Sequence, residues 1–392
     1  MPTVTLASSS PQILTFVSTE AAFLAFFALV LLRTEAQATS QRAGGLVLLG
    51  AVTYAAEQRI VPICLTSGRP HWAAVLASLL WVQLLSASEL LLASRVHAAQ
   101  LPRPRARSAI ALLFNVRRLG TPWQVKNVPS TAGLQTQTRT AFVVGRVAVT
   151  LLAYLSVDLM VSLPPADPAL VRADKAALSS LRNLSVEDVI FRGAMTISYW
   201  FTTGVINLFM TNLGAVVGVL SATSRPVDCP PLYGSFLEAY NVRRFWGISW
   251  HQMFRSILTG HASLIVDNAL PFLPHHSVAS RYARLTVAFS ISGLLHYRAD
   301  QVQGVPDAEN RALVFFLLHA AVIMLEDAVR PVLVALLPTR LRHTLGYLWV
   351  LAFFIWSSPI WMYPGARLGI DAAALLPVRL VGPWIARHFD TY

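Results

Sequence analysis

Charge is scarce in this sequence. Of 392 residues only 13% are Asp, Glu, Lys or Arg, about half the share of an average soluble domain, while 55% are hydrophobic. So few ionic groups cannot clothe a water-facing surface, which excludes a soluble enzyme and a disordered protein alike. Cysteine is nearly absent, with only Cys64 and Cys229. Two thiols build neither a disulfide framework nor a zinc cluster, and they leave the redox compartment open. Acidic residues are the scarcer sign, 19 against 31 Lys and Arg, for a formal net charge of +12. On a soluble protein that excess would suggest nucleic acid. On a polytopic membrane protein it marks cytoplasmic loops instead, so no nucleic-acid partner is inferred. A Walker A loop, a dinucleotide fingerprint and a His-Glu-x-x-His signature are all missing. Gly247-Ile248-Ser249-Trp250-His251 lacks the closing glycine of a nucleophile elbow. The sequence therefore shows no nucleophile for covalent catalysis, and no metal or bound cofactor is called for.

What the sequence has is long apolar runs and a mean hydropathy of +0.55. A spanning helix needs roughly 20 mostly apolar residues. Candidate spans are Ile13–Leu32, Gly44–Leu65, His71–Ser94, Phe142–Leu163, Gly193–Ala222, Tyr282–Tyr297, Ala312–Leu337 and His343–Tyr363. Asp371–Ile385 is a weaker ninth, broken by Pro377 and Pro383, and Ala262–Leu273 is short enough to be re-entrant or interfacial. The expected fold class is all-α: a polytopic transmembrane helical bundle of about 8–9 spans. It forms one integral membrane domain over residues 1–392, with no internal repeat. Ala36-Gln37-Ala38 has the small-x-small form of a signal-peptide cleavage site. The segment before it has no positive n-region, and its apolar run exceeds the roughly 7–15 residues of an h-region, so Ile13–Leu32 reads as a retained span. Between the third and fourth spans lie Arg95, Arg103, Arg105, Arg107, Arg117, Arg118, Lys126 and Arg139, with no acidic residue. That loop is expected on the cytoplasmic side, and counting spans puts Asp228–Gly260 and Arg340-Leu341-Arg342 there too. Glu20, Glu57, Arg59, Glu89, Arg146, Asp158, Glu326 and Asp327 fall inside spans and are expected to pair across helices.

Two clusters carry candidate chemistry. Read as a helix, Asn241–Arg255 sets Trp246, Trp250, Met253 and Ile257 on one stripe and Arg244, Ile248, His251 and Arg255 on the other. Tryptophans beside arginines suit an interfacial anchor, with indoles at headgroup level. Anchoring does not explain a histidine between arginines, or Asn241 and Gln252 near it. In the second cluster, Phe289-Ser290-Ile291-Ser292-Gly293-Leu294-Leu295-His296, residues Phe289, Ser292 and His296 share a face. Gly293 there permits close approach of another helix. A histidine within a span is a functional candidate, and its ordinary pKa near 6.5 suits a general base. The residues alone leave two alternatives open: a histidine merely solvated at the interface, and a transporter with an intramembrane polar path.

At these clusters the chain resembles the membrane-bound O-acyltransferase superfamily, in its wax-synthase-like branch, which includes many fungal secondary-metabolite acetyltransferases. Four blocks carry the resemblance, within about residues 114–296. Gly120–Pro129, with Trp123-Gln124-Val125-Lys126-Asn127, is similar to the family's Trp-x-Val-Lys-Asn loop. Pro230-Pro231-Leu232-Tyr233-Gly234-Ser235-Phe236 is similar to its Pro-Pro-Leu-Phe-Gly-Ser stretch. Arg244–Gln252 matches the Trp-His block, although Arg244 directly precedes Phe245, and Phe289–His296 matches the Ser-Gly-x-x-His block. The resemblance implies a helical bundle enclosing a catalytic tunnel, acyl-CoA as donor co-substrate and a hydroxyl as acceptor. It implies His296 as catalytic base and His251 at the second polar position of the active site. Asn241, Trp250, Gln252 and Ser292 would lie against substrate, and Lys126, Arg243, Arg244 and Arg255 would face the CoA phosphates or anionic membrane lipid. The expected activity is acetyl transfer from acetyl-CoA to a lipophilic terpenoid or meroterpenoid alcohol, at the endoplasmic reticulum. A long-chain wax-ester synthase or sterol acyltransferase is the alternative within the same chemistry.

Overall fold

A computed structural model describes residues 6–384, and among them there is no β-strand. In chain order the α-helices are α1 (Leu6–Arg33), α2 (Thr39–Thr66), α3 (Pro70–Ser88), α4 (Arg105–Phe114), α5 (Arg139–Met160), α6 (Ala173–Ala176) and α7 (Val186–Leu220). They continue with α8 (Val242–Arg244), α9 (Arg255–Ala269), α10 (Val278–Gln303), α11 (Ala312–Leu336), α12 (Thr339–Ser357) and α13 (Pro359–Arg367). Among the described residues, seven stretches are long and apolar enough to cross a membrane: Pro11–Arg33, Thr39–Thr66, Pro70–Ala93, Arg139–Met160, Val186–Leu220, Ala312–Leu336 and Thr339–Arg367. The chain is a polytopic helical membrane protein.

Three expectations need correction. Tyr282–Tyr297 lies inside α10, but that helix also takes in Arg281, Arg298, Asp300 and Gln301, and it falls short of the apolar content of a span. Its ionic groups have protein partners instead: Arg284 pairs with Asp267 and Arg298 with Glu57. Asp371–Ile385 is not a helical span. Its described part holds a single 3₁₀ turn, Ala372–Leu375, and a short helical piece at 381–384, with prolines interrupting both, while Ile385 lies outside the described residues. The helix expected from Gly193 starts earlier, at Val186, because Ser185 and Asp188 form a reciprocal capping box. Ala262–Leu273 falls largely in α9, whose 15 residues extend about 22 Å, too short for the hydrocarbon core.

The chain divides into two compact units. The first comprises the chain up to Val125 together with Met253–Met324. In it α1, α2 and α3 pack in succession, and α10 packs on α3 and α9. Phe23, Phe27, Leu31, Leu49, Leu90 and Leu91 fill its main apolar core. Buried ions are matched one by one. Glu57 accepts the Trp81 indole N–H at 2.6 Å and pairs with Arg298. Glu89 meets Arg118 at 2.6 Å, their side chains 4% and 0% exposed. Arg42, fully buried, donates to the carbonyls of Leu91 (2.9 Å), Val96 (2.8 Å) and Thr34 (3.1 Å).

The second unit comprises Lys126–Gln252 and the chain from Leu325 onward, with α5 packed along α7. Asp158 is encircled by Arg379 Nε (2.5 Å) and the backbone N–H groups of Leu380 (2.6 Å) and Val381 (2.8 Å). Arg146 donates to Asn212 Oδ1 at 2.7 Å and to the Cys229 carbonyl at 2.9 Å. The pairing expected of Glu57, Glu89, Asp158 and Arg146 is present. Arg59 differs, since its guanidinium donates to the Ala55 carbonyl on its own helix at 2.7 Å.

Breaking the Glu89–Arg118 pair tests how much these ions hold. Glu89→Gln should cost about 3–5 kcal/mol, because a buried guanidinium loses its carboxylate. The double variant Glu89→Leu/Arg118→Met should recover most of that loss. Thermal unfolding of purified protein in detergent reads both.

Candidate active site

The Trp-His segment belongs to the second unit and is not one α-helix. Asn241 caps α8, its Oδ1 accepting the Arg244 N–H at 2.8 Å. Glu326 on α11 takes the N–H groups of Val242 (2.8 Å) and Arg243 (3.2 Å), so the start of α8 is satisfied from two sides. From Phe245 to Ser249 the turn widens to a π-helix, closed by the Trp250 N–H on the Phe245 carbonyl at 2.7 Å. Trp250 then takes extended dihedrals, φ −70 and ψ 158, and helix resumes only at Arg255. The two expected faces therefore do not exist: an extra residue in the turn and the break at Trp250 put Trp246 and Trp250, or Arg244 and His251, out of α-helical phase.

Several groups hold this loop open. The buried Gln252 side chain donates to the carbonyls of Trp246 (2.9 Å) and Trp250 (2.7 Å). Ser249 Oγ donates to the Ser235 carbonyl at 2.8 Å, and the Gly234 N–H to the Ser249 carbonyl at 3.1 Å. Asn127 Nδ2, from the Trp-x-Val-Lys-Asn loop, donates to the Gly247 carbonyl at 2.7 Å. Three of the four sequence blocks thus meet in one hydrogen-bonded frame.

Aromatic packing fixes the rest. The Trp200 ring on α7 lies 5.3 Å from Trp250, 5.9 Å from Trp246 and 5.0 Å from Phe354, and its indole N–H donates to Ser358 Oγ at 2.9 Å. Trp250 also packs 5.5 Å from Phe245 and 5.3 Å from Tyr233. The half-buried His251 ring sits 5.3 Å from Trp250 and 6.4 Å from Tyr233. Burial pushes the Tyr233 phenol well above its ordinary range, and its O–H donates to the Gly204 carbonyl at 2.9 Å, so it stays neutral.

The arginines here have acidic partners. Arg243 bridges both oxygens of Asp327, at 3.1 and 2.5 Å, and Arg244 pairs with Glu238 while lying 4.7 Å over the Tyr240 ring. Lys126 is exposed on its loop. Asn241, Trp250 and Gln252 each have a duty in shaping the loop that carries His251.

His296 belongs to the first unit, on α10. Its Nδ1 lies 2.8 Å from the Ser292 carbonyl. A carbonyl only accepts, so Nδ1 carries the proton of the neutral ring and Nε2 carries the basic lone pair. Ser292 contributes through its backbone. The His296 ring rests 4.6 Å from Phe316. A Cβ on Gly293 would lie 2.9 Å from Leu313 Cα and 3.2 Å from Phe316 Cβ, so glycine is what lets α10 approach the start of α11 this closely. One turn past His296, Arg298 holds Glu57. Arg255 opens α9 in this unit and is half-buried.

Sequence reasoning passed over two histidines of the first unit. His261 on α9 donates Nδ1–H to the Ile257 carbonyl at 2.7 Å and accepts from Ser88 Oγ at 3.0 Å. His319 on α11 is fully buried, donates Nδ1–H to the Phe315 carbonyl at 2.8 Å, and lies 4.2 Å from the Phe315 ring. The rule applied to intramembrane carboxylates covers His319 as well and would have found it. Among the described residues, no group of three or more His, Cys, Asp or Glu side chains converges as a metal site would require.

The fold and its motifs define a polytopic helical membrane protein in which His251 lies among aromatic rings and His296 is oriented by the Ser292 carbonyl. A family profile described as "Membrane bound O-acyl transferase family" matches residues 229–318, a stretch containing both histidines. The chain is 30% identical over 295 residues to acetyltransferase pyr8 of Aspergillus fumigatus, covering 71% of this chain and 68% of that one. It is 29% identical over 288 residues to acetyltransferase atnC of Arthrinium sp, covering 70% and 66%. Acetyltransferase aurG of Calcarisporium arbuscula is 32% identical over 291 residues, covering 69% and 68%. The chain belongs to the membrane-bound O-acyltransferase family and is an acyltransferase enzyme. No solved structure matches it.

Two glycines of the loop frame should respond oppositely to a methyl group. At Gly234 a Cβ would lie 2.3 Å from the Ile248 carbonyl oxygen, whereas at Gly247 nothing lies within 4 Å. Gly234→Ala should lower the yield of folded protein and its activity severalfold, and Gly247→Ala should stay near wild type. Size-exclusion profiles and transfer assays on both variants check this.

Proposed function

We propose that this enzyme moves an acetyl group from acetyl-CoA to a hydroxyl of a lipophilic secondary metabolite, a terpenoid or meroterpenoid, at the endoplasmic reticulum. The observation that carries the mechanism is the His296 hydrogen bond to the Ser292 carbonyl, which presents Nε2 as the basic nitrogen. Nε2 takes the proton of the acceptor hydroxyl as its oxygen attacks the thioester carbonyl carbon. The tetrahedral intermediate then expels CoA thiolate: the C–S bond breaks, the ester C–O bond remains, and the proton passes to sulfur. The oxyanion needs donors, and His251 is the group assigned to it, held in place by Trp250 and Gln252. Asn241 and Ser292 are assigned to the substrate walls, and Lys126, Arg243, Arg244 and Arg255 to the CoA phosphates. The acetyl donor is supported by relatives that bear the name acetyltransferase.

Single-turnover transfer in nanodiscs, with labelled acetyl-CoA and quantified protein, separates the two histidines. His296→Ala should lower the rate by about 10²–10⁴, the usual worth of a general base, with acetyl-CoA binding nearly unchanged. His251→Asn should retain part of the activity, because an amide still donates, and His251→Leu should lose much more. Near wild-type transfer by His296→Ala would remove the mechanism. Use of palmitoyl-CoA alone, in place of acetyl-CoA, would remove the acetyl assignment and leave the base in place.

A further inference from the structure

Within the second unit, the ends of α11 and α12 and the residues around α8 enclose a crevice of about 490 Å³. One side is aliphatic: Val329, Leu333 and Leu345, which are 39%, 38% and 46% exposed, line it. Side chains of that kind on spanning helices face acyl chains. The other side is basic, formed by Arg330, Arg342 and His343 along with Arg243 and Arg244. The two carboxylates of the crevice are already engaged. Asp327 is bridged by Arg243, and Glu326 accepts two backbone N–H groups and the Trp349 indole N–H at 2.9 Å. His343 is stacked on Tyr240, ring centroids 3.9 Å apart. Among the described residues, neither Arg330 nor Arg342 makes an ion pair, so the net charge of the crevice is positive.

We propose that this crevice binds one anionic phospholipid, with its phosphate between Arg330 and Arg342 and an acyl chain along Val329, Leu333 and Leu345. A basic pocket beside apolar helix surface meets both halves of such a molecule, the headgroup by charge and the tail by burial. A soluble nucleotide would gain nothing from the aliphatic wall. The arginines lie toward the α11–α12 turn, where His343 stacks on Tyr240. Only two spans, α5 and α7, separate Tyr240 from the basic loop between the third and fourth spans, which puts both on the cytoplasmic side, where the leaflet is rich in anionic lipid. The site uses none of the acid–base groups of the acyl-transfer reading. Arg243 and Arg244, which that reading assigns to CoA, border the crevice but are held by Asp327 and Glu238, and the phosphate is placed on Arg330 and Arg342 alone.

The test uses the full chain reconstituted in phosphatidylcholine nanodiscs with or without phosphatidylinositol, then stripped in mild detergent, with retained lipid counted by mass spectrometry. Wild type should retain about one phosphatidylinositol per chain against a phosphatidylcholine background. Each arginine near a charged headgroup is worth roughly fivefold in affinity, so Arg330→Gln/Arg342→Gln should weaken retention by about 25-fold. Leu333→Trp, which fills the wall and keeps both arginines, should also reduce it. Should the double variant fold poorly, Arg330→Gln alone, at an exposed position, carries the charge test with about a fivefold loss. Equal retention of the two lipids, retention unaffected by both the arginine and the wall variants, or displacement by saturating CoA would overturn the proposal, the last by showing a nucleotide site instead.

Discussion

A carboxylate or guanidinium inside a bundle of lipid-embedded helices costs several kcal/mol unless a partner of opposite charge and further hydrogen bonds surround it. Much of this molecule is arranged around meeting that requirement. Glu57 on α2 reaches Arg298 on α10, Glu89 at the end of α3 reaches Arg118 beyond α4, and Asp158 on α5 reaches Arg379 near the C-terminal end. Each pair joins segments far apart in sequence and permits few alternative packings, because sliding either helix by one residue would strand both charges. The pairs also explain how α10 can be so polar: Arg298 is neutralised by Glu57 on α2 and Arg284 by Asp267 on α9, so the helix can bring a histidine where an apolar span could not.

The loop around His251 meets a related constraint by other means. Rigidity comes from indole and phenyl rings packed around Trp200 and from side-chain amides that satisfy the carbonyls left open by the π turn. Aromatic rings suit this task because they bury a large area with few rotatable bonds. Asn127, Gly234 and Gln252 come from three separate sequence blocks, and each bonds to the same short stretch of main chain. Their contribution to chemistry is the shape of that main chain.

Much of this was legible in the sequence. The apolar runs located the seven candidate spans to within about a turn, except the start of α7, which its capping box carries seven residues further, because hydropathy over a membrane-length window reports a constraint that tertiary packing rarely overrides. The partnering of Glu57, Glu89 and Asp158 followed from the same physics, although the identity of each partner did not, since arginines 29 to 241 residues away are equally distant to a linear reading. The errors have physical causes. Tyr282–Tyr297 looked like a span because its window held a single ionic group, Arg284, and stopped short of Arg281, Arg298 and Asp300 on the same helix. The stretch from Asn241 to Arg255 looked like one amphipathic helix because periodicity cannot register a single extra residue in a turn. The motif nominates His296 as a candidate, and the carbonyl that sets its tautomer appears only once the helix is built.

The π turn from Phe245 to Ser249 gives this loop an arithmetic of its own. A turn closed from residue i to i−5 holds one residue more than an α-helical turn, and each residue of an α-helix rotates the chain by about 100°. Deleting any one residue between Phe245 and Ser249 would let the Trp250 N–H close on the same Phe245 carbonyl as an ordinary helical turn, so Trp250, His251 and Gln252 would keep nearly their present bearings. What the extra residue contributes is therefore local: it opens the main chain at Trp246 and Gly247, whose carbonyls Gln252 and Asn127 take up, and a one-residue deletion would remove that opening while leaving the histidine's aim intact.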